Sequence, residues 1–477
     1  MLLQRAKPLF FAGALASLAL GGHAHANGQA SHVWISKRAL TELPEGELDT
    51  FLADPALTLM LLNGSMYPDG GYGPVDHPNA HEAAESAHWE PYQDAYRRWI
   101  MDTYDQPWST EAKEHVAFYL GMSAHGMGDQ VFDSMFMQRS AAFDPSPLDD
   151  FDQFMDYILV DRAGDTEVPQ DWVPEESLLL IYDSIGLAYT SQAILDGQAV
   201  LRAALSLINA AASVPANITN AEDTYPWASA NLLEVSAEGS PPVEAAVVRR
   251  YWQVNWDLLH DRGLRRPVLY TFPYDGTANH PIDSSNIESW ITIVFSRGLD
   301  ASGVGNDFFL LVDEDQNPVP TSYQLFYGND SHVVHLKPTQ DLSADTVYTV
   351  TVDPGLTTVH DEVLEGWSFR FSTGATAPDP INDDDDWDNP DPPPDPPDPP
   401  DPSETGTDGG STQDTSGEGG CACSTRRSPP SPWLLGLLAV PLARRRRRFR
   451  AGVVSPLRTR ADDAIPPAGR TRHTRCR

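Results

Sequence analysis

Cysteine is scarce and sits far from where a structural staple would be useful. The 477-residue chain has three, Cys421, Cys423 and Cys476, all close to the C-terminus. The region before them therefore has no disulfide, and its stability must come from packing or bound metal. Basic charge is scarce too: 32 Lys and Arg against 68 Asp and Glu leave a formal charge of −36. Binding nucleic acid by counterion release needs a basic surface, so no stable nucleic-acid partner is expected. Long apolar runs are missing. Leu9–Leu20 and the 11 residues Trp433–Ala443 are both too short to cross a bilayer well.

What is present divides the chain into segments. Arg5 and Lys7, the run LFFAGALASLAL and Ala24-His25-Ala26 predict a signal peptide over 1–26, with a mature start at Asn27. Export removes cytosolic cofactor chemistry and leaves hydrolysis or binding as the work. Residues 27–262 carry helical periodicity, including long patterns at about 176–212 and 241–261. From 265 to 374 the composition changes to alternating β-branched and aromatic runs, such as WITIVFS and VYTVTV. About seven short strands in about 110 residues describe a β-sandwich. The fold class expected is thus multidomain, all-α followed by all-β. Repeated PDPP units make 375–420 an extended, disordered acidic spacer. Residues 421–450 join Cys421-Ala422-Cys423 to an apolar run and Arg444–Arg448, an anchor-like tail, and the basic residues 451–477 fit no pattern.

The most informative stretch is Glu114–Met135, EHVAFYLGMSAHGMGDQVFDSM, where His125, Asp129 and Asp133 recur every four residues and share a helical face. An amphipathic helix could carry them as a solvated stripe. Gly121, Gly126 and Gly128 interrupt it, each costing about 1 kcal/mol in a helix interior. Such glycines point to close approach by another segment or a ligand, and so to a buried metal site. Other donors precede and follow: His32 at a helix start, Asp69 in the loop NGSMYPDGGYG (63–73), His88 before Trp89 and Tyr92, and Asp152 opening an acidic helix with Asp156 four residues on. His77 and His81 read as an exposed helix start and His115 as structural, while Ser109-Thr110-Glu111 caps the helix of His125. Imidazole and carboxylate are zinc's ligands, and paired metals cleave phosphate esters.

SHVWISKRA, a YPD loop, AHWEPY and FYLGMSAHGMGD together resemble the zinc-dependent phospholipase C family of secreted bacterial enzymes, over about residues 31–160. That all-helical fold is shared with single-strand-specific nucleases and with the catalytic domain of glycosylphosphatidylinositol-specific phospholipase D. The resemblance implies two, or with His32 three, zinc ions. Asp69, His88, His125 and Asp129 match the first zinc's ligands, Asp129 also the bridge to another metal, Asp152 a ligand of the second, and His32 one of the third. It implies metal-activated water as the attacking species, with Asp69 as the general base. Where the family has a histidine after the bridging aspartate, this chain has Asp133 or, further on, Met135. The family also ligates metal through a mature N-terminal amine, of a tryptophan, where this chain is expected to begin with Asn27.

Residues P-x-DG, IVFS and FRFSTG resemble the bacterial Ig-like domain, and the tail resembles the C-terminal sorting signal of myxobacterial surface proteins, with processing at Cys421 or Cys423. The expectation is a secreted or surface-anchored hydrolase of phospholipids acting at a membrane surface. The alternatives are a nuclease of the same fold, needing a base-stacking pocket from Trp89, Trp99 or Trp108, and a non-catalytic metal-binding surface protein. The oligomeric state is left open.

Overall fold

A computed structural model of the chain describes residues 27–73, 77–169 and 172–382. The expected signal peptide, most of the spacer and the tail lie outside them. The first half is helical: α1 (Gln29–Thr41), α2 (Glu47–Leu52), α3 (Pro55–Met66), a 3-10 turn (Tyr67–Tyr72), α4 (Ala80–His88), α5 (Glu90–Thr103), α6 (Thr110–Val131), a π turn (Phe132–Met137), α7 (Gln138–Phe143), α8 (Phe151–Ala163), α9 (Glu175–Ser184), α10 (Ser191–Ala212), α11 (Pro215–Thr224), α12 (Pro226–Asn231) and α13 (Pro241–Leu259). No single described helix is long and apolar enough to cross a membrane.

α6 is the central helix. Its start is capped as its sequence predicts, the Ser109 hydroxyl accepting from the Ala112 N–H at 3.2 Å. Every residue from His115 to Val131 is buried, so it is enclosed on all sides. α3 crosses it where both are glycine. A Cβ on Gly121 would stand 1.9 Å from the Leu61 carbonyl oxygen, and one on Gly64 2.1 Å from that of Phe118. On another side α13 is tied to α6 by Trp252 Nε1–H donating to the Leu120 carbonyl (2.7 Å) and Tyr119 O–H donating to Asn255 (2.6 Å).

Three segments differ from their sequence-based expectation. Residues 63–73 are not a loop: α3 runs on through Asn63–Met66, and Tyr67–Tyr72 is 3-10 helix. The glycines serve packing there, as at Gly64, rather than breaking the helix. The pattern at 176–212 is two helices, parted around Gly186, whose φ of 82° suits glycine. The first residues of the expected spacer are held in place: the Asp275 carboxylate accepts from the backbone N–H groups of Ile381 and Asn382, both at 2.8 Å.

The second half is a sandwich of β1 (Val268–Phe272), β2 (Ile291–Leu299), β3 (Phe309–Asp313), β4 (Thr321–Leu325), β5 (Ser331–Pro338), β6 (Val347–Val352) and β7 (Trp367–Ser372). One antiparallel sheet has the order β1-β2-β5-β4 and the other β3-β6-β7. Alternation is clearest in β6, whose inward Tyr348, Val350 and Val352 meet Phe369 and Phe371 in a core separate from that of the helices.

Charged groups are buried where the halves meet. Arg297 of β2 is 1% exposed. Its guanidinium is paired with Glu90 of α5, with Glu362 at 2.8 Å, and with Asp94 at 3.4 Å. Asp330, before β5, accepts from the Glu90 backbone N–H at 3.1 Å.

Candidate metal centre

Five of the expected donors converge. His32 comes from α1, Asp69 from the 3-10 turn, His88 from the end of α4, and His125 and Asp129 from α6; all are between 1% and 9% exposed. Each position has a local cause. The N-terminus of α1 is clamped by Asp156, which accepts from Ala30 N–H (3.0 Å), Ser31 N–H (2.9 Å) and the Ser31 hydroxyl (2.8 Å). That clamp fixes His32 one residue later. Gly126 lets the chain at His88 come close, since a Cβ there would lie 2.1 Å from the His88 carbonyl oxygen. The i, i+4 spacing places His125 Nε2 3.2 Å from Asp129 Oδ2.

The ring nitrogens show what such a cluster could hold. His88 Nδ1–H donates to the Ala84 carbonyl and His125 Nδ1–H to the Ser65 carbonyl, both at 2.7 Å. Their Nε2 atoms then face each other at 3.0 Å, lone pair toward lone pair unless a cation or proton intervenes. The same Nε2 atoms lie 3.3 and 3.6 Å from Asp69 Oδ1. Donors about 2.0–2.1 Å from a tetrahedral zinc are roughly 3.3 Å from one another, so the spacing fits. Fixing a histidine by its outer nitrogen is also how metal ligands are commonly oriented.

Asp129 faces two ways. Its Oδ2 meets His125 and His88, the latter at 3.5 Å. Its Oδ1 meets His32 Nε2 at 3.3 Å and accepts from the Asn27 backbone N–H at 3.1 Å. Two oxygens with separate donor sets are what a metal-bridging carboxylate requires.

The electrostatics call for positive charge. Burial pushes the His125 imidazole down, but Asp129 and Asp69 outweigh it and hold it at about 10. Burial pushes Asp69 up, yet His125 and His88 keep it well below the usual carboxylate range. His32 is lowered by burial, and its Nε2 and Asp129 Oδ2 have no hydrogen-bond partner.

Asp133 and Asp152 stand apart from the five. Asp133 lies in the π turn, is buried, and accepts a hydrogen bond from the Tyr327 hydroxyl. Burial and then Asp129 raise it well above the usual range, with Asp152 adding to the effect. Asp152 is half-buried. Met135 is enclosed in the hydrophobic core.

The sequence does not single out Gln29 or Glu244. The Gln29 amide donates to Asp69 Oδ2. Glu244 of α13 is fully buried, accepts from the Asn27 amide, and has a second oxygen without a hydrogen-bond partner. Its place in an ordinary helical run conceals it; only the fold brings it beside Asp129. His77 pairs with Asp196 at 2.9 Å, and His115 packs among Tyr96, Trp99 and Tyr104. Trp99 belongs to that same cluster, and Trp108 packs on Phe51 and Trp256. Of the three tryptophans, Trp89 is the one that adjoins a donor, His88.

Residues 266–373 match the sequence model of the bacterial Ig-like domain. The Ig-like domain is therefore the source of Tyr327. Local similarity also extends to phosphatidylinositol-glycan-specific phospholipase D. The rat protein is 26% identical over 174 residues, 33% of this chain and 20% of that protein. The bovine one is 29% identical over 149 residues, covering 28% and 18%. The Dictyostelium discoideum one is 35% identical over 66 residues, covering 14% and 7%. The chain thus matches a fifth or less of these relatives' length. Among solved structures, surface layer protein SbsC, domains 1-6, matches 70% of this chain and 46% of its own, at 11% identity and a TM-score of 0.20. A score that low carries no argument about the fold.

Proposed function

We propose that this chain is an exported, zinc-dependent phosphodiesterase of the phospholipase C type that hydrolyses phospholipids at a membrane surface. The observation that carries the proposal is the convergence of His88 and His125 Nε2, at 3.0 Å, on the carboxylates of Asp69 and Asp129. Partial similarity to phosphatidylinositol-glycan-specific phospholipase D supports a phosphodiester as the bond broken.

Asp69, His88, His125 and Asp129 would hold one zinc, and Asp129 with His32 a neighbouring one. Asp133 and Asp152 would extend the acidic side toward a further ion. Processing after Ala26 would turn the Asn27 N–H beside Asp129 into a free amine and add a donor. Zinc supplies activation of water and neutralisation of charge on the phosphoryl oxygens. The chain's residues do the rest. The Ser65 and Ala84 carbonyls keep both Nε2 atoms turned inward. Asp69, whose Oδ2 is steadied by the Gln29 amide, would face the metal through Oδ1, and it is the candidate to take up the proton of the attacking water.

The test is headgroup release from phosphatidylcholine and phosphatidylinositol vesicles by purified, zinc-saturated protein. Phosphorylated headgroup with diacylglycerol is the expected product. Phosphatidic acid instead would move the scissile bond to the other side of phosphorus and correct the type. Stoichiometric zinc with no product from either lipid would end the proposal.

A further inference from the structure

We propose that Tyr327 of the Ig-like domain is a positioning residue of the metal centre, acting through Asp133. The inference rests on the metal-centre reading above. Tyr327 lies between β4 and β5 and reaches across to α6's extension, where its hydroxyl donates to Asp133 Oδ2. Its ring meets Trp89 edge-on, with centroids 5.0 Å apart. Two further bonds hold the same loop against the helices. Asp330 accepts from the Glu90 N–H at 3.1 Å, and Gln130 accepts from the His332 N–H at 2.8 Å. Residues 327–332 are therefore tied to 89–90 and to 130–133. The first of these segments adjoins His88 and the second Asp129.

The chemistry follows from what the bond leaves over. Asp133 is 3% exposed, and its Oδ1 has no hydrogen-bond partner. A buried carboxylate oxygen without a partner is costly unless a cation or proton meets it. A phenol on Oδ2 supports the charged form without neutralising it and fixes the plane of the carboxylate. Oδ1 is left as the donor, with Asp152 contributing negative charge nearby. Outer partners of this kind typically change metal affinity by about 10- to 100-fold. Here that partner belongs to the other domain, so the acidic side of the centre is built by both.

Zinc titration of the full-length apo-protein against a competing chromophoric chelator tests this. The proteins compared are wild type, Tyr327→Phe, Asp133→Asn and the double variant. Wild type should bind at least two equivalents. Tyr327→Phe keeps the ring on Trp89, so its melting temperature should stay close to wild type. It should weaken the weaker equivalent about 10- to 100-fold and leave the tighter one unchanged. The double variant should bind no worse than Asp133→Asn alone. Wild-type affinity for both equivalents in Tyr327→Phe overturns the proposal. So does an equal loss at every site, or a wild type that binds a single equivalent. A wild type that binds no zinc overturns the metal-centre reading itself, a failure distinguishable from the others.

Discussion

Asp129 gives each carboxylate oxygen a different neighbourhood, His125 and His88 on one side and His32 on the other. Asp129→Ala should therefore cost more than one equivalent of zinc and lower hydrolysis on the order of 10³-fold; equal zinc in variant and wild type would refute the arrangement. Asp69 carries two proposed roles that substitution can separate. Asp69→Asn with zinc retained and turnover lost by about 10²- to 10⁴-fold marks the proton acceptor, whereas loss of zinc with turnover marks the ligand. Farther out, Asp330 gives a pH effect of predictable sign. Burial, then Glu90, raises its carboxyl from 3.8 to about 8, against the Glu90 N–H and Arg297. The folded state thus keeps a proton that the unfolded chain releases near pH 4. This contribution to stability is full below about pH 4 and is lost as pH rises toward 8. Asp330→Asn fits the positive φ of 68° at this position and should flatten the slope. Urea unfolding should find it gaining stability relative to wild type as pH rises from about 4 to about 8, by up to about 5 kcal/mol. At this scale the sequence revealed donors with short-range spacing, since His125 and Asp129 share a helical turn whatever surrounds them. It could not reveal Glu244 or Gln29, whose meeting with Asn27 and Asp69 depends on packing between distant segments.

Among the elements, α6 was the most legible, because its cap, its donors and its excess of glycine all lie in one continuous stretch. The glycines mark contacts with particular partners, the Leu61 carbonyl for Gly121 and the His88 carbonyl for Gly126. Gly121→Ala should lower stability by about 1–3 kcal/mol, read from thermal unfolding, because backbone rather than a flexible side chain must give way. Extending the four-residue repeat to Asp133 was less secure. The helix widens into a π turn at Phe132–Met137, a distortion that periodicity does not signal and that often accompanies functional sites. The stretch 63–73 misled for a related reason: glycine, proline and asparagine favour a loop locally, but burial against α6 and α4 keeps the segment helical.

At the level of the whole molecule, sequence composition located the change from helix to strand and the sandwich core, because alternation is local. It gave no sign that Arg297 would reach Glu90 and Asp94 across more than 200 positions. Asp94 keeps Arg97 at 2.5 Å and Arg98 at 2.7 Å, but removing that guanidinium leaves Glu90 buried without an arginine, which for a buried pair costs about 3–5 kcal/mol. Wild type should unfold in one calorimetric transition, and Arg297→Ala should separate the Ig-like domain's transition from that of the helices. A single unshifted peak for the variant would show that the clasp does not couple them.

The crossing of α3 and α6 has a consequence for how the centre tolerates change. Main chain touches main chain there, so no rotamer stands between the segment leading to Asp69 and the helix of His125. Side-chain repacking elsewhere in the core has little leverage on a joint of that kind. Drift in the aliphatic core should show first as a lower melting temperature, with affinity for metal holding until the helices themselves come apart. Sequence evolution in the core and at the centre would then proceed on separate clocks.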